Sequence, residues 1–168
     1  MDKNLKYEIL NQVKTVEEAE NLSSEVDSIL SSLYKVKNKD LSQILSKSAG
    51  KQTAAIIKSV LESEKISESD LSAVEKTLSG LKEDLKNAQV IKITLAIDPT
   101  TELISHIHAW VTENIGRGTL LETNKDESIL GGAIIAVNGQ YKDFSLKKSL
   151  ENIFESHGSE LLKSITAK

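Results

Sequence analysis

Apolar residues recur at helical spacing throughout the first half of the chain. Leu5, Ile9 and Val13 stand four residues apart, and the stretches 19–33 and 71–85 repeat apolar residues at intervals of three and four. This spacing places the apolar side chains on one face of a helix, where they can be buried together. Residues 1–88 are therefore predicted to form an all-α helical bundle with short loops.

Local start motifs support several of these helices. Thr15 is followed three residues later by Glu18, which is the spacing of a capping box, where each side chain binds the other residue's backbone N–H. Asp40, Ser67 and Asp70 precede apolar series. Residues of these types accept hydrogen bonds from the first free N–H groups of a helix, so they are predicted to open helices.

The period of the pattern changes at Gln89. From Ile91 to Ile97 every second residue is apolar, which predicts a half-buried β-strand. Asp98-Pro99 then predicts the start of a helix, because the missing N–H of proline costs nothing at the first helical position. The stretch from Thr119 to Thr123 is predicted to be a second strand.

A β-hairpin and a helix are predicted to follow. The stretches Ala133 to Val137 and Gln140 to Phe144 are predicted to be strands, and they are separated by Asn138-Gly139, a pair that favours the tight turn of a hairpin. Asp143 and Ser145 are predicted to cap the last helix. The apolar face of that helix either packs on the sheet or binds a partner.

These elements predict an α+β fold class. The N-terminal all-α helical bundle, residues 1–88, is followed by a small α+β domain, residues 89–168, with a β-hairpin and a C-terminal helix. Aromatic residues make up 4% of the chain while hydrophobic residues make up 39%, so aliphatic side chains must fill most of the core.

Composition narrows the classes of function. The 168-residue chain carries a net charge of −4, has no cysteine and contains Arg117 as its one arginine. Without a basic stripe, nucleic-acid binding is not expected, and without cysteine, thiolate chemistry is excluded. The charged N-terminus lacks the apolar segment of a signal peptide, and no apolar run is long enough to span a bilayer as a helix.

No group of residues has the spacing of a catalytic or metal site. The stretch 49–53 resembles the end of a phosphate-binding loop but lacks its first glycine, so a helix–helix turn is favoured. His106 and His108 lie on a predicted helix, where residues two apart point to nearly opposite sides. Gly131-Gly132 could cradle an anion, but a bulge or a close backbone approach is favoured. No cofactor, metal or small-molecule substrate is therefore expected.

A series of residues in the C-terminal third has the spacing of a family signature. In that signature an aspartate precedes a Gly-Gly pair, a hairpin follows, and an Asp-Gly-Ser sequence leads to a basic residue and a leucine. The matching residues are Asp126, Gly131, Gly132, Asn138, Gly139, Asp143, Ser145, Lys147, Lys148 and Leu150. With these residues the chain resembles the delta subunit of the F-type ATP synthase, the homologue of the oligomycin-sensitivity-conferring protein. Phe144 departs from the signature, because the family usually has glycine there.

The resemblance implies a non-catalytic connector in the peripheral stalk of a proton-translocating ATP synthase. In this family the helical domain binds alpha-subunit N-termini on the catalytic F1 head, and the C-terminal domain binds the C-terminus of the b-subunit stalk. The subunit thereby resists rotor torque. The resemblance also implies a cytoplasmic location, peripheral to the inner face of the cell membrane through the complex alone. The residues predicted to bind the b stalk are Phe154, Leu161, Leu162 and Ile165.

Two other functions stay open from the sequence. A soluble adaptor that binds amphipathic helices of an unrelated complex would have the same composition, and only its partner would differ. An enzyme or small-ligand protein would need a deep pocket with converging polar groups, for example around Gly131, His106 and Asp143.

Overall fold

The computed structural model describes residues 9, 11–35, 40–137, 139–153 and 155–156. Among the described residues before 89 the regular elements are helices, and the elements after it follow the order strand, helix, three strands, helix. The predicted α+β fold class is confirmed.

The helices begin largely where the capping residues predicted. After helical residues at 9 and 11–12, the described helices are α1 (Val16–Lys35), α2 (Leu41–Ser48), α3 (Lys51–Ser63), α4 (Leu71–Lys86), α5 (Thr101–Asn114) and α6, which covers 146–153 and 155–156. The capping box of α1 is confirmed, since Glu18 N donates to Thr15 Oγ1 at 3.1 Å and Thr15 N donates to Glu18 Oε2 at 3.4 Å. Asp70 caps α4 by accepting a hydrogen bond from Ala73 N at 3.1 Å. Asp40 precedes α2, but its side chain makes no capping hydrogen bond.

The apolar faces of α1 to α4 share one buried cluster. Its members come from the predicted series at spacings of three and four, and Leu120 joins them. The most deeply buried leucines and isoleucines include Ile29, Leu41, Ile57 and Leu78, each 0% exposed. Because full burial of such a side chain contributes about 1.5–3 kcal/mol relative to exposure, this cluster is the main source of stability in the helical part.

Four strands form one sheet. They are β1 (Gln89–Leu95), β2 (Thr119–Lys125), β3 (Ala133–Val137) and β4 (Gln140–Asp143), arranged in the order β2-β1-β3-β4. β3 is antiparallel to both β1 and β4. In β1 the predicted alternation is confirmed, because Ile91, Ile93 and Leu95 are buried while Lys92 is exposed.

The first strand is shorter than the sequence pattern suggests. Ile97 continues the apolar alternation, but β1 ends at Leu95 and the Ile97 side chain is 63% exposed. The physical reason is the length of the partner strand, since the ladder between β1 and β3 ends at the pair Leu95 and Ala133.

The start of α5 also differs from the prediction. The helix begins after Thr100, whose Oγ1 accepts a hydrogen bond from Leu103 N at 3.2 Å, so Asp98-Pro99 lies outside it. Asp98 instead forms an ion pair with Lys125 Nζ at 3.1 Å. Threonine is a good capping residue, and its position closer to the apolar series decides where the helix starts.

The chain divides into two compact units. The first contains Met1–Val90 and Ser105–Leu120, and the second contains Ile91–Ile104 and Leu121–Lys168. A domain boundary near residue 88 stays a prediction, because α5 is divided between the two units. Within the described ranges, none of the helices combines the length and apolar character needed to span a bilayer.

Candidate functional site

Gly131-Gly132 lies where two backbone segments meet. Phe144 N donates to Ala133 O at 2.9 Å, and Leu146 N donates to Gly131 O at 2.9 Å. A Cβ atom on Gly132 would stand 2.4 Å from Phe144 O, and Gly132 has a φ of +83°. The predicted close backbone approach is thus confirmed. These contacts join the beginning of β3 to the beginning of α6.

Asp143 and Ser145 act as the predicted caps of α6. Ser145 N donates to Asp143 Oδ1 at 2.8 Å, and Lys148 N donates to Ser145 Oγ at 3.2 Å. Hydrogen bonds from Ser145 lower the pKa of Asp143, and the positive charges of Lys148 and Lys147 act in the same direction. Since Ser145 is buried, both residues order the corner between hairpin and helix.

Asp126 orders the turn that leads into the Gly-Gly pair. Its Oδ1 accepts a hydrogen bond from Ser128 N at 2.9 Å, and hydrogen bonds from Ser128 lower the pKa of Asp126. Asp126 N donates to Leu95 O at 2.8 Å, which ties this turn to β1.

The hairpin between β3 and β4 is confirmed by the pairing of Val137 with Gln140. Gly139 has a φ of +76°, a conformation that favours glycine. Asn138 lies outside the described residues, so the predicted turn type stays a prediction.

An exposed apolar stripe runs along α6. Leu146, Leu150 and Ile153 are 51%, 40% and 49% exposed, and every described residue from 146 onward is exposed. Leu130, which is 63% exposed, lines a groove of about 380 Å³ together with Leu150. We call these four residues, Leu130, Leu146, Leu150 and Ile153, the α6 surface. In the described part of α6 the apolar face is exposed, so it does not pack on the sheet there.

The residues predicted to bind a stalk helix lie further along the chain. Phe154, Leu161, Leu162 and Ile165 are all outside the described residues, so their role stays a prediction. The exposed stripe at Leu146, Leu150 and Ile153 was part of the same predicted apolar face, but only the structure shows that it is uncovered.

A second groove lies in the helical unit, between α1 and α4. It has a volume of about 960 Å³. Its apolar lining comes from Val16, Ala19, Leu30, Leu85, Val90 and Leu120, and its polar lining includes Glu20, Asp27, Lys82, Glu83 and Lys86. We call this site the α1–α4 groove. Sequence patterns alone could not locate it, because its two walls are about fifty residues apart in the chain.

The two histidines of α5 have different surroundings, as the helical spacing predicted. His106 is exposed, whereas His108 is buried and its Nε2 donates to Thr119 O at 3.2 Å. Burial lowers the pKa of His108 below 6.5, and the hydrogen bond to Thr119 opposes only part of this effect. His108 therefore stabilises the turn between α5 and β2 in its neutral form.

Acidification is expected to destabilise the protein through His108. Because its pKa in the folded chain is lower than the unfolded value of 6.5, the unfolded chain binds more protons as the pH falls through that value, and the free energy of unfolding decreases. The urea midpoint should drop between about pH 7.5 and about pH 5.5. His108→Gln should reduce this drop, whereas His106→Gln, at an exposed position, should retain it. An equal drop in all three proteins would contradict the assignment.

The described residues offer no catalytic or metal-binding arrangement. No three His, Asp or Glu side chains in the described part of the chain are grouped to hold a metal ion. The stretch that resembled a phosphate-binding loop is the turn between α2 and α3, as favoured from the sequence. There Gly50 N donates a hydrogen bond to Glu25 Oε2 at 2.7 Å. The carboxylate of Glu25 therefore occupies the place at Gly50 N where a bound phosphate would accept a hydrogen bond. Gly131, His106 and Asp143 are not found together in either groove.

Comparisons with known proteins agree with the signature. The family described as ATP synthase delta (OSCP) subunit matches residues 2–156. An ATP synthase subunit delta from Streptococcus equinus is 39% identical to the chain over 79 residues. That alignment covers 44% of this chain and 44% of the relative, so the chain aligns with less than half of the relative's length.

Proposed function

Because this chain belongs to the ATP synthase delta (OSCP) subunit family, we propose that it is a peripheral-stalk connector of an F-type proton-translocating ATP synthase. It links the alpha-subunit N-termini of the catalytic F1 head to the b-subunit stalk and thereby resists rotor torque. The observation that carries this proposal is the presence of two open apolar surfaces, the α1–α4 groove and the α6 surface. A connector needs two such surfaces because it must bind two partners at once.

The connector role is non-catalytic. The signature residues contact backbone: Gly132 allows Phe144 O to come close, and Asp143 and Ser145 bind N–H groups at the start of α6. Because these polar groups form hydrogen bonds within the chain, they order the corner at which α6 begins. The proposed function accordingly involves no cofactor and no small-molecule substrate.

The α1–α4 groove is the proposed site for the alpha-subunit N-terminus. A peptide helix typically binds in a groove whose centre is apolar and whose rim is charged. The groove has both features, with the partly exposed Val16 and Leu30 among its apolar residues and Glu20 and Lys86 among its charged ones. Its volume of about 960 Å³ is at the upper end of small-molecule pockets, and its open form suits a helix better.

The α6 surface is the proposed site for the C-terminus of the b subunit. The stripe at Leu146, Leu150 and Ile153 has the spacing of a helix that packs on another helix. Exposed fractions between 40% and 51% leave this apolar area in contact with water unless a partner covers it. The predicted contacts at Phe154, Leu161, Leu162 and Ile165 would extend the same surface. The chain would then be peripheral to the inner face of the cell membrane through the complex.

Binding to the b subunit is expected to depend on Leu150. Leu150→Asp places a charge within the apolar stripe, so the affinity for a soluble b-subunit fragment should fall at least about tenfold. The free energy of unfolding should change little, because Leu150 is 40% exposed. Asn152→Asp adds the same charge on the other side of α6 and should leave binding intact, as measured by isothermal titration calorimetry. Equal losses in both variants would place the interface elsewhere.

Pull-down from membranes that contain the whole synthase tests the proposed function. The tagged chain should recover alpha and b subunits together. Recovery of an unrelated complex instead would favour the soluble adaptor and would refute the connector.

A further inference from the structure

A second apolar series follows the α6 surface directly in the chain. On α6, Leu150 and Ile153 are 40% and 49% exposed, and the last described residue is Ser156. We call residues 157–168, HGSELLKSITAK, the C-terminal segment. Its apolar residues stand at helical spacing and are Leu161, Leu162 and Ile165. An exposed apolar face on α6 is therefore joined to a segment with an apolar face of its own.

The residues between the two series favour a turn from one helix to another. Glycine is common just past the end of a helix, and Gly158 stands two residues beyond Ser156. Ser159 comes next, and serine is a preferred residue for capping the start of a helix. A short connection of this kind joins two antiparallel helices. The sequence therefore favours a second helix that runs back along α6.

The two apolar series match when the second helix runs antiparallel to α6. Leu150 stands three residues before Ile153, and Ile165 stands three residues after Leu162. Because a helix rises about 1.5 Å per residue, both steps are about 4.5 Å long. Ile153 would then lie beside Leu162 and Leu150 beside Ile165. The chain from Ser156 to Leu162 can span about 20 Å when extended, which exceeds the roughly 8–10 Å between packed helix axes.

We infer that residues 159–166 fold back on α6 as the second arm of a helical hairpin and cover Leu150 and Ile153 in the free subunit. Covering removes these side chains from water. The chain's own segment is favoured over a second copy of the protein, because the short connection gives it a high effective concentration at α6.

The fold-back regulates the α6 surface, because a b-subunit helix must displace the C-terminal segment before it can cover Leu150. This regulatory role rests on the proposed function, whereas the fold-back itself does not. After displacement the apolar residues of the segment are free to contact the stalk, in agreement with their predicted role.

Pairs of introduced cysteines measure the fold-back without any partner. The chain has no cysteine, so Ile153→Cys with Leu162→Cys places a single pair at the proposed contact. Asn152→Cys with Leu162→Cys is the matched control, because Asn152 is exposed and lies about 100° around the helix from Ile153.

Equilibration with reduced and oxidised glutathione gives the effective concentration of each pair. It is expected to be at least about tenfold higher for the pair at the proposed contact than for the control. Equal effective concentrations would overturn the inference, and so would disulfides that form only between two molecules, which would indicate a second copy as the occupant.

Binding to a soluble b-subunit fragment tests the regulatory role. The oxidised form of Ile153→Cys with Leu162→Cys should bind at least about tenfold more weakly than the reduced form of the same protein. In the control pair the disulfide holds the segment at another side of α6, so oxidation should change the affinity little. Equal affinities of the two forms of the first pair would overturn the inference. If the first pair shows the high effective concentration but neither form binds the fragment, the fold-back stands and the proposed function fails.

Discussion

Replacing Gly132 by alanine is expected to lower the free energy of unfolding by about 3 kcal/mol or more. The new Cβ atom would stand 2.4 Å from Phe144 O and 3.0 Å from Ser145 Cα, and both are backbone atoms that cannot rotate away. The φ of +83° adds strain, because side chains with a Cβ atom disfavour this region. The corner between β3 and α6 would therefore have to open.

Gly139→Ala provides the matched control for this prediction. Gly139 has a similar φ of +76°, but nothing lies within 4 Å of the position of a new Cβ atom. Its replacement should cost only the backbone strain, about 1–2 kcal/mol. Urea unfolding followed by circular dichroism measures both variants. If Gly132→Ala were no more destabilising than Gly139→Ala, the close approach at Phe144 would not be a constraint on the fold.

Gly132→Ala should also weaken binding of the b-subunit fragment. The hydrogen bonds of Phe144 N and Leu146 N to the segment around Gly131 place the beginning of α6, so opening this corner moves the α6 surface. Gly139→Ala should leave this binding unchanged, because the turn it alters makes none of these contacts. Comparing the two variants distinguishes the effect of the corner on binding from the effect of the hairpin turn.

Replacing Leu78 by alanine is expected to destabilise the protein by about 2–5 kcal/mol. Leu78 is 0% exposed and belongs to the buried cluster of the helical part. Its removal leaves a cavity that its neighbours cannot fill completely, so the lost contacts add to the lost burial. The free energy of unfolding in urea measures the effect.

Leu150→Ala removes the same atoms from the α6 surface and serves as the control. Because Leu150 is 40% exposed, its replacement should change the free energy of unfolding by no more than about 0.5 kcal/mol. Binding to the b-subunit fragment should nevertheless weaken. A loss of stability as large as that of Leu78→Ala would mean that the α6 stripe is part of a core.

The helices were predictable because their determinants are local. The periodic series in α1 and α4 already identified Val26 and Leu78 as members of buried faces, and the capping box of Thr15 and Glu18 located the start of α1. These interactions connect residues three or four apart, and they depend little on the rest of the chain.

Element boundaries were less predictable where a neighbouring element decides them. The alternation up to Ile97 could not show that β1 would end at Leu95, because the end depends on how far β3 extends. The choice of Thr100 rather than Asp98 as the cap of α5 has a similar cause. Asp98 and Thr100 are both suitable capping residues. Thr100 caps the helix, whereas Asp98 forms an ion pair with Lys125 at the end of β2.

The proposed binding surfaces were also predictable only where local residues determine them. The signature residues pointed to the corner around Gly132, but no pattern revealed that the described residues of α6 would be uncovered. The α1–α4 groove combines residues from two helices that are far apart in sequence, so local patterns could not predict its location. The sequence likewise could not predict that His108 is buried beside Thr119.

The sequence by itself determined the kinds and order of the elements, the caps of several helices and the family signature, because hydrogen bonds and side-chain periods within a few residues specify them. Only the tertiary structure decided which apolar side chains are covered and which stay open to a partner. Burial depends on segments that are distant along the chain, and Leu78 and Leu150 stand in helical stripes of the same spacing although one is 0% exposed and the other 40%.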